Sequence, residues 1–245
     1  MNINERLLEI QREWIKSCGA DEIAKEVRLS RPFSFAVTKE YVKNQNKVMV
    51  IGQEARDFGE YADNWPLIDV QHFNEDYVSI QLGYRAPHDE VKYNSSPFWK
   101  FFRELKKREM EPVWNNVDKF HLVKEIDHQT KKTESLRAEQ ERVFSAPYGP
   151  DSKSILIREV ETVAPDIIVF LTGPYYHETM ALALGISDKE LCAQKPNKSV
   201  PCQDITKISG LGIPTFWSYH PAYLNRIKKI DHTVNIIHNT NLARR

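Results

Sequence analysis

Polar residues with catalytic potential follow two apolar, strand-forming runs that lie far apart in the chain. One group is 52–55, Gly-Gln-Glu-Ala, and the other is 220–226, His-Pro-Ala-Tyr-Leu-Asn-Arg. In an open parallel α/β sheet, ligands bind in the crevice outside the carboxyl ends of the strands. The two groups can therefore face one pocket. The carboxylate of Glu54, the imidazole of His220 and the guanidinium of Arg226 would together suit attack on a bond in a nucleic acid.

The composition is that of an ordinary globular protein. Of the 245 residues, 41% are hydrophobic and 28% are charged, and the formal net charge is zero. Neutrality argues against a protein that coats nucleic acid, because non-specific affinity comes mostly from Lys and Arg that neutralise phosphates. The sequence contains neither a run of about 18 uncharged apolar residues nor a signal-peptide pattern. We therefore expect a cytoplasmic protein with no membrane partner.

The cysteines give no sign of a metal centre. There are three, Cys18, Cys192 and Cys202, and none forms a Cys-x-x-Cys pair. An odd, scattered set provides neither a disulfide framework nor a zinc or iron–sulfur signature. We expect no bound metal.

Helix and strand signals alternate along the chain. The expected strands are 47–51, a run within 111–123, 166–171 and 214–219, and the expected helices are 4–17, 97–107, 152–163, 177–184 and 231–242. Such alternation indicates a parallel sheet covered on both faces. The expected fold is an α/β protein, a three-layer α/β/α sandwich with a central, mainly parallel four-stranded sheet.

We expect a single domain over residues 1–245, with an N-terminal helix within 1–30 packed on it. Residues 53–96 look like a long irregular connection, and ordered connections of this length are commonly functional. The charge-rich segment 124–142 is predicted to be a solvated helical or flexible insertion. A phosphate-contacting loop through Lys131 and Lys132 is the alternative.

Four segments, in chain order, carry a resemblance to a known family. They are 48–54 (Val-Met-Val-Ile-Gly-Gln-Glu), 116–119 (Asn-Val-Asp-Lys), 155–173 and 219–226 (Tyr-His-Pro-Ala-Tyr-Leu-Asn-Arg). They resemble the Gly-Gln-Asp-Pro strand end, the Asn-Leu-Val-Lys element, the helix–Pro–strand–Gly unit and the His-Pro-Ser/Ala-Tyr-Leu-x-Arg motif of the uracil-DNA glycosylase superfamily. The last motif is the most specific. The match is to a divergent member, because the ligands of the iron–sulfur subgroup are missing.

The resemblance implies base excision in DNA repair, by hydrolysis of the N-glycosidic bond of uracil or a related damaged base. Glu54 lies where the family carries a carboxylate that stabilises the oxocarbenium-like sugar and orients water. The family more often has Asp there, and Asp57 is the alternative carboxylate. His220 would donate a hydrogen bond to the base O2 as negative charge develops. No cofactor is expected, because uracil leaves as a moderately good anion.

The resemblance also assigns residues that bind the base. Asn116 offers a donor and an acceptor that match the O4 and N3–H edge of uracil, whereas cytosine presents the reversed pattern. Asn115 is the alternative for this role. Phe98 would stack on the extruded base, and Gln53 of the first motif would line the same pocket.

DNA, single- or double-stranded, is the expected partner of a monomeric protein. Leu224 would act as a wedge that holds the flipped nucleotide out of the stack, and Tyr223 and Arg226 would contact the DNA. Two other interpretations remain open. One is an inactive glycosylase-fold protein that binds nucleic acid or a nucleobase. The other is an enzyme acting on free nucleosides or nucleotides, which no Gly-rich phosphate loop supports.

Overall fold

A computed structural model describes residues 1–53, 59–61, 66–88, 91–123 and 143–243. The charged segment 124–142 lies outside these residues. The described strands are β1 (Lys47–Gly52), β2 (Glu111–Asn116), β3 (Ile167–Phe170), β4 (Cys202–Asp204) and β5 (Thr215–Ser218). They form a five-stranded sheet of order β2-β1-β3-β5-β4. All neighbouring pairs are parallel except β4 and β5, which are antiparallel.

Helices precede, connect and follow the strands. In the described part of the chain they are α1 (Ile3–Ser17), α2 (Ala20–Glu26), α3 (Lys39–Lys43), α4 (Leu67–Gln81), α5 (Pro97–Lys106), α6 (Ile155–Val163), α7 (His177–Leu184), α8 (Asp188–Ala193), α9 (Thr206–Ser209), α10 (Pro221–Arg226) and α11 (Ile230–Leu242). None of the described helices is long and apolar enough to cross a bilayer.

The sheet separates two apolar cores, because successive side chains of a strand point to opposite faces. Met49 and Ile51 of β1 pack in a cluster with residues of α1, α6 and α7. Val48 and Val50 pack in the other cluster with residues of α5, α10 and α11. The predicted α/β class and the mainly parallel sheet are confirmed, and helices on both faces are compatible with a three-layer sandwich.

The predicted strand count of four was wrong. The fifth strand, β4, lies between the predicted helix 177–184 and the predicted strand 214–219, where no element was expected. Its Gln203 pairs with Trp217 at the edge of the sheet. A strand of three residues is too short for an alternating pattern, so the pairing with β5 defines it rather than its own sequence.

The 53–96 segment contains a helix, α4, that the sequence pattern did not predict. Its inward face is partly polar: Gln71 and Asn74 are buried. The Gln71 amide donates to the Phe35 carbonyl at 3.0 Å, and the Asn74 amide donates to the Ser34 carbonyl. A helix that buries amides against backbone carbonyls shows no apolar stripe, because hydrogen bonds replace part of its hydrophobic face.

Candidate functional site

Two residues of the predicted base pocket, Asn116 and Phe98, lie beside Gly52 at the carboxyl ends of β1 and β2. Gly52 and Asn116 are paired in register at the last position of the two strands. A β-carbon added at Gly52 would lie 2.5 Å from Oδ1 of Asn116 and 3.5 Å from Cε2 of Phe98. Only a residue without a side chain leaves room for this arrangement. The amide and the ring therefore both border the backbone of Gly52.

The side-chain amide of Asn116 is buried and only partly satisfied. The residue is 1% exposed, and its Oδ1 accepts a hydrogen bond from the indole Nε1–H of Trp114 at 3.0 Å. That donor fixes which end of the amide is the oxygen. Within the described residues, the Nδ2 group has no hydrogen-bond partner. A buried donor without an acceptor is costly, and it is commonly explained by function or by an absent ligand or water.

The side chain of Asn115, the alternative to Asn116 for binding the base, already has hydrogen-bond partners within the protein. Its Nδ2 donates to Oε2 of Glu159 at 2.9 Å, and its Oδ1 accepts the backbone N–H of Asn116 at 2.7 Å. The residue is fully buried. Asn115 thus holds the backbone of Asn116 rather than facing a ligand.

A buried ion pair supports Asn115, and sequence analysis did not single it out. The Lys119 ammonium lies 2.6 Å from the Glu159 carboxylate, with side chains 1% and 0% exposed. Gln11 also donates to Glu159, at 2.8 Å. Burial lowers the pKa of Lys119, and the attraction of Glu159 opposes part of that effect. The one available signal was the charged residue that ends the Asn-Val-Asp-Lys element, because Lys is almost never fully buried unless it is paired.

Phe98 lies at the edge of an aromatic cluster. It is half-buried near the start of α5. Its ring centroid is 4.9 Å from that of Phe102, 5.5 Å from that of Trp99 and 5.6 Å from that of Trp114. Ser96 precedes the helix and Pro97 occupies its first turn, which fits the N-terminal preferences of helices. The neighbouring rings fix the orientation of Phe98 and leave part of its surface accessible.

Contacts between loops connect the end of β1 to the ends of β3 and β5. The Gln53 amide donates to the carbonyl of Thr172, in the loop after β3, at 2.7 Å. The backbone N–H of Gly173 donates to the Ser218 carbonyl at 3.0 Å. A β-carbon at Gly173 would lie 3.6 Å from the backbone nitrogen of His220. The predicted residues Gln53 and His220 therefore both lie at the carboxyl edge of the parallel strands.

His220 is the N-cap of α10. Its Nδ1 accepts a hydrogen bond from the backbone N–H of Ala222 at 3.2 Å. An accepting nitrogen carries no proton, so the neutral imidazole has its proton on Nε2. Segment 221–226 is a short helix that begins with Pro221, and His220 is held at its start.

Leu224 does not have the exposure that a wedge requires. It is fully buried and belongs to the core cluster on the α5 side of the sheet. A side chain without accessible surface cannot enter a base stack, so the predicted wedge role does not agree with this position. The packing of α10 against α5 explains the burial.

Tyr223 and Arg226 lie on the accessible side of α10. The ring centroids of Tyr223 and Tyr219 are 4.3 Å apart, and the Arg226 guanidinium lies 4.9 Å from the centroid of Tyr223. Arg226 is exposed and Tyr223 is half-buried. Both can reach an external partner.

The two predicted carboxylates, Glu54 and Asp57, fall outside the residues that the structure describes. Elsewhere, ligand atoms of His177, Glu178 and Asp188 lie within 4.8 Å of one another. His177 pairs there with Asp188, and both acidic residues are exposed, so this group carries no argument for a metal.

No family model matches the chain, and no curated protein matches it.

Proposed function

We propose that this chain is a DNA N-glycosylase with a uracil-DNA glycosylase-like sandwich fold, and that it excises uracil or a related damaged base. The observation that carries the proposal is the buried Nδ2 of Asn116, without a partner among the described residues and close to Gly52 and Phe98. A base stacked on the Phe98 ring would present a carbonyl oxygen that accepts a hydrogen bond from this donor.

The donor pattern of Asn116 favours uracil over cytosine. Uracil O4 would accept from Nδ2, and uracil N3–H would donate to the second lone pair of Oδ1, since Trp114 uses only one. Cytosine would direct its amino group at Nδ2, and two donors would then face each other. A site built to hydrogen-bond its substrate strongly rejects an analogue that leaves buried groups unpaired.

His220 would stabilise the leaving base. In the reaction, the C1′–N1 bond breaks with its electron pair moving to the base, water adds to C1′, and the proton that the water loses ends on the departing base. Negative charge grows on O2 during this step, and the Nε2–H that follows from the cap geometry of His220 would donate to that oxygen. A positioned donor of this kind is worth about 10²–10³ in rate.

Glu54 and Asp57 complete the proposed chemistry as the candidate carboxylates. They follow Gln53 in the sequence, and Gln53 is tied to the loop after β3. Either carboxylate would stabilise the sugar cation and orient the attacking water, and mutagenesis decides between them.

The experiment is a strand-cleavage assay. Labelled single- and double-stranded oligonucleotides with one uracil are incubated with the protein and then treated with hot alkali, which cuts at abasic sites. The variants are His220→Ala, Asn116→Ala, Glu54→Gln and Asp57→Asn. The exposed residues His72 and Asn239 provide matched controls, His72→Ala and Asn239→Ala. We expect loss in His220→Ala, in Asn116→Ala and in one carboxylate variant, with both controls active.

The remaining outcomes identify the alternatives. A folded wild-type protein that cuts no oligonucleotide containing uracil, hypoxanthine or xanthine, yet binds one, would be the inactive nucleic-acid-binding protein. Release of free base from deoxyuridine without any cutting of DNA would indicate an enzyme of free nucleosides.

A further inference from the structure

Tyr175 is a large side chain that the proposed chemistry does not use. It is 92% exposed, and no other large apolar side chain in the described part of the chain is more exposed. It follows β3 through Gly173 and Pro174, so it lies on the loop that borders His220. An aromatic ring placed fully in water beside a candidate site has no packing role and is available to a ligand.

Two further tyrosines lie beside this loop. Tyr219 and Tyr223 are both half-buried, and their rings are inclined at 32° with centroids 4.3 Å apart. The pKa of Tyr219 is raised, first by burial and then by the nearby phenols of Tyr223 and Tyr175. The loop that carries Tyr175 and the Tyr219–Tyr223 pair thus lie side by side and form one rim at the end of β3 and β5.

Cations border the same rim. The Arg226 guanidinium lies over the Tyr223 ring, and Lys228 is exposed two residues further on. The nearest acidic residue on α11, Asp231, is paired with Arg108. In the described residues, no ion pair joins Arg226 or Lys228 to a carboxylate. The rim therefore combines aromatic faces with positive charge, as surfaces for single-stranded nucleic acid do.

We propose that Tyr175, Tyr219 and Tyr223 form a stacking platform for the bases of single-stranded DNA, with Arg226 and Lys228 contacting its phosphates. The platform would hold the nucleotides next to the one in the pocket, and its place in catalysis rests on the proposed function. Bases in a duplex are stacked on each other and offer only their edges, so a platform of rings selects unpaired strands.

The burial of Leu224 supports the same preference. An enzyme that acts on duplex DNA pays unstacking energy to extrude a base, and that energy is least for a base already in a single strand. With Leu224 fully buried, this side chain gives no help in opening a duplex. Single-stranded DNA does not require that help.

The test is binding of uracil-free DNA, so that it does not depend on excision. Fluorescence anisotropy is measured with a labelled 12-nucleotide oligo-dT and with a labelled duplex of equal length. The variants are Tyr175→Ala and Tyr175→Phe. The control is Tyr93→Ala, because Tyr93 is also strongly exposed, at 59%, and lies before α5, outside the three-tyrosine rim.

We expect the wild type to bind the single strand more tightly than the duplex. Tyr175→Ala should weaken single-strand binding about 5- to 150-fold, the range expected for loss of one stacked base. Tyr175→Phe and Tyr93→Ala should bind like the wild type. Equal affinity for duplex and single strand, or equal binding by Tyr175→Ala and Tyr93→Ala, would overturn the platform.

The two proposals fail separately. Tyr175-dependent binding without any excision of uracil would remove the enzymatic function and keep the platform as a single-strand binding surface. Excision by a protein whose binding ignores Tyr175 would keep the function and remove the platform.

Discussion

Gly52 and Asn116 are in direct contact across neighbouring strands: a β-carbon at residue 52 would lie 2.5 Å from Oδ1 of Asn116. The backbone of Gly52 does not have the positive φ that favours glycine. Space rather than backbone conformation therefore explains the glycine, and the space is needed by a side chain of the proposed base pocket.

Gly52→Ala should consequently displace the Asn116 amide. Trp114 holds that amide by a hydrogen bond, so both side chains must shift to relieve the clash with the new methyl group. We expect this shift to cost about 1–3 kcal/mol in stability. We expect the kcat/KM for uracil excision to fall at least about tenfold, since a misplaced group costs up to 10²-fold. Steady-state kinetics and urea denaturation measure the two effects.

Gly83→Ala is the control for this substitution. Gly83 has a φ of +78° and nothing within 4 Å of its added β-carbon, so alanine there strains the backbone without touching Asn116. It should lose stability and keep kcat/KM. If both alanine variants lose excision in proportion to their stability, the contact with Asn116 has no special role.

The role of His220 as a helix cap can be tested separately from its proposed role as a hydrogen-bond donor. His220→Asn retains a side-chain acceptor suited to an N-cap but lacks a donor at the position of Nε2. We expect near wild-type stability and about 10²–10³ lower kcat. His220→Ala should lose the same activity and about 1 kcal/mol of stability as well. Full activity of the asparagine variant would refute the donor role, and urea midpoints monitor the fold.

Removal of one partner of the buried Lys119–Glu159 pair should strongly destabilise the fold. Lys119→Met leaves the Glu159 carboxylate buried without its cation, which costs about 3–5 kcal/mol. Urea denaturation measures this loss.

The exposed pair Lys153–Glu161 provides a matched control. Its nitrogen and oxygen are also 2.6 Å apart, but the side chains are 37% and 53% exposed. Lys153→Met should cost at most about 1 kcal/mol, since water screens exposed pairs. Equal losses in the two methionine variants would show that burial of the Lys119 pair adds nothing.

Cys18 should make the fold less stable in alkali. Burial raises the pKa of its thiol from 9.0 to about 11. The unfolded thiol ionises first, so stability present below pH 9 is lost as the pH rises through about 11, by about 2–3 kcal/mol. Cys18→Ala should flatten this part of the pH profile of unfolding free energy. A profile unaltered by Cys18→Ala would contradict the assignment.

Local sequence determined the elements that have a strong pattern of their own. Helix α1 agrees with its apolar spacing and begins with a capping box between Asn2 and Glu5. Strands β1 and β3 agree with their apolar runs, because a strand buried on both faces is apolar throughout. The polar residues that end these strands could therefore be placed at one edge of the sheet from sequence alone.

Only the tertiary structure decided what those polar residues can do. Asn115 and Asn116 are adjacent and chemically identical. Yet the Nδ2 of Asn115 donates to Glu159, whereas Trp114 donates to the Oδ1 of Asn116 and leaves its Nδ2 unbonded among the described residues. Leu224 looked accessible in its motif but is buried by α5. Hydrogen-bond partners and burial come from segments distant in the chain, so no local pattern of residues contains them.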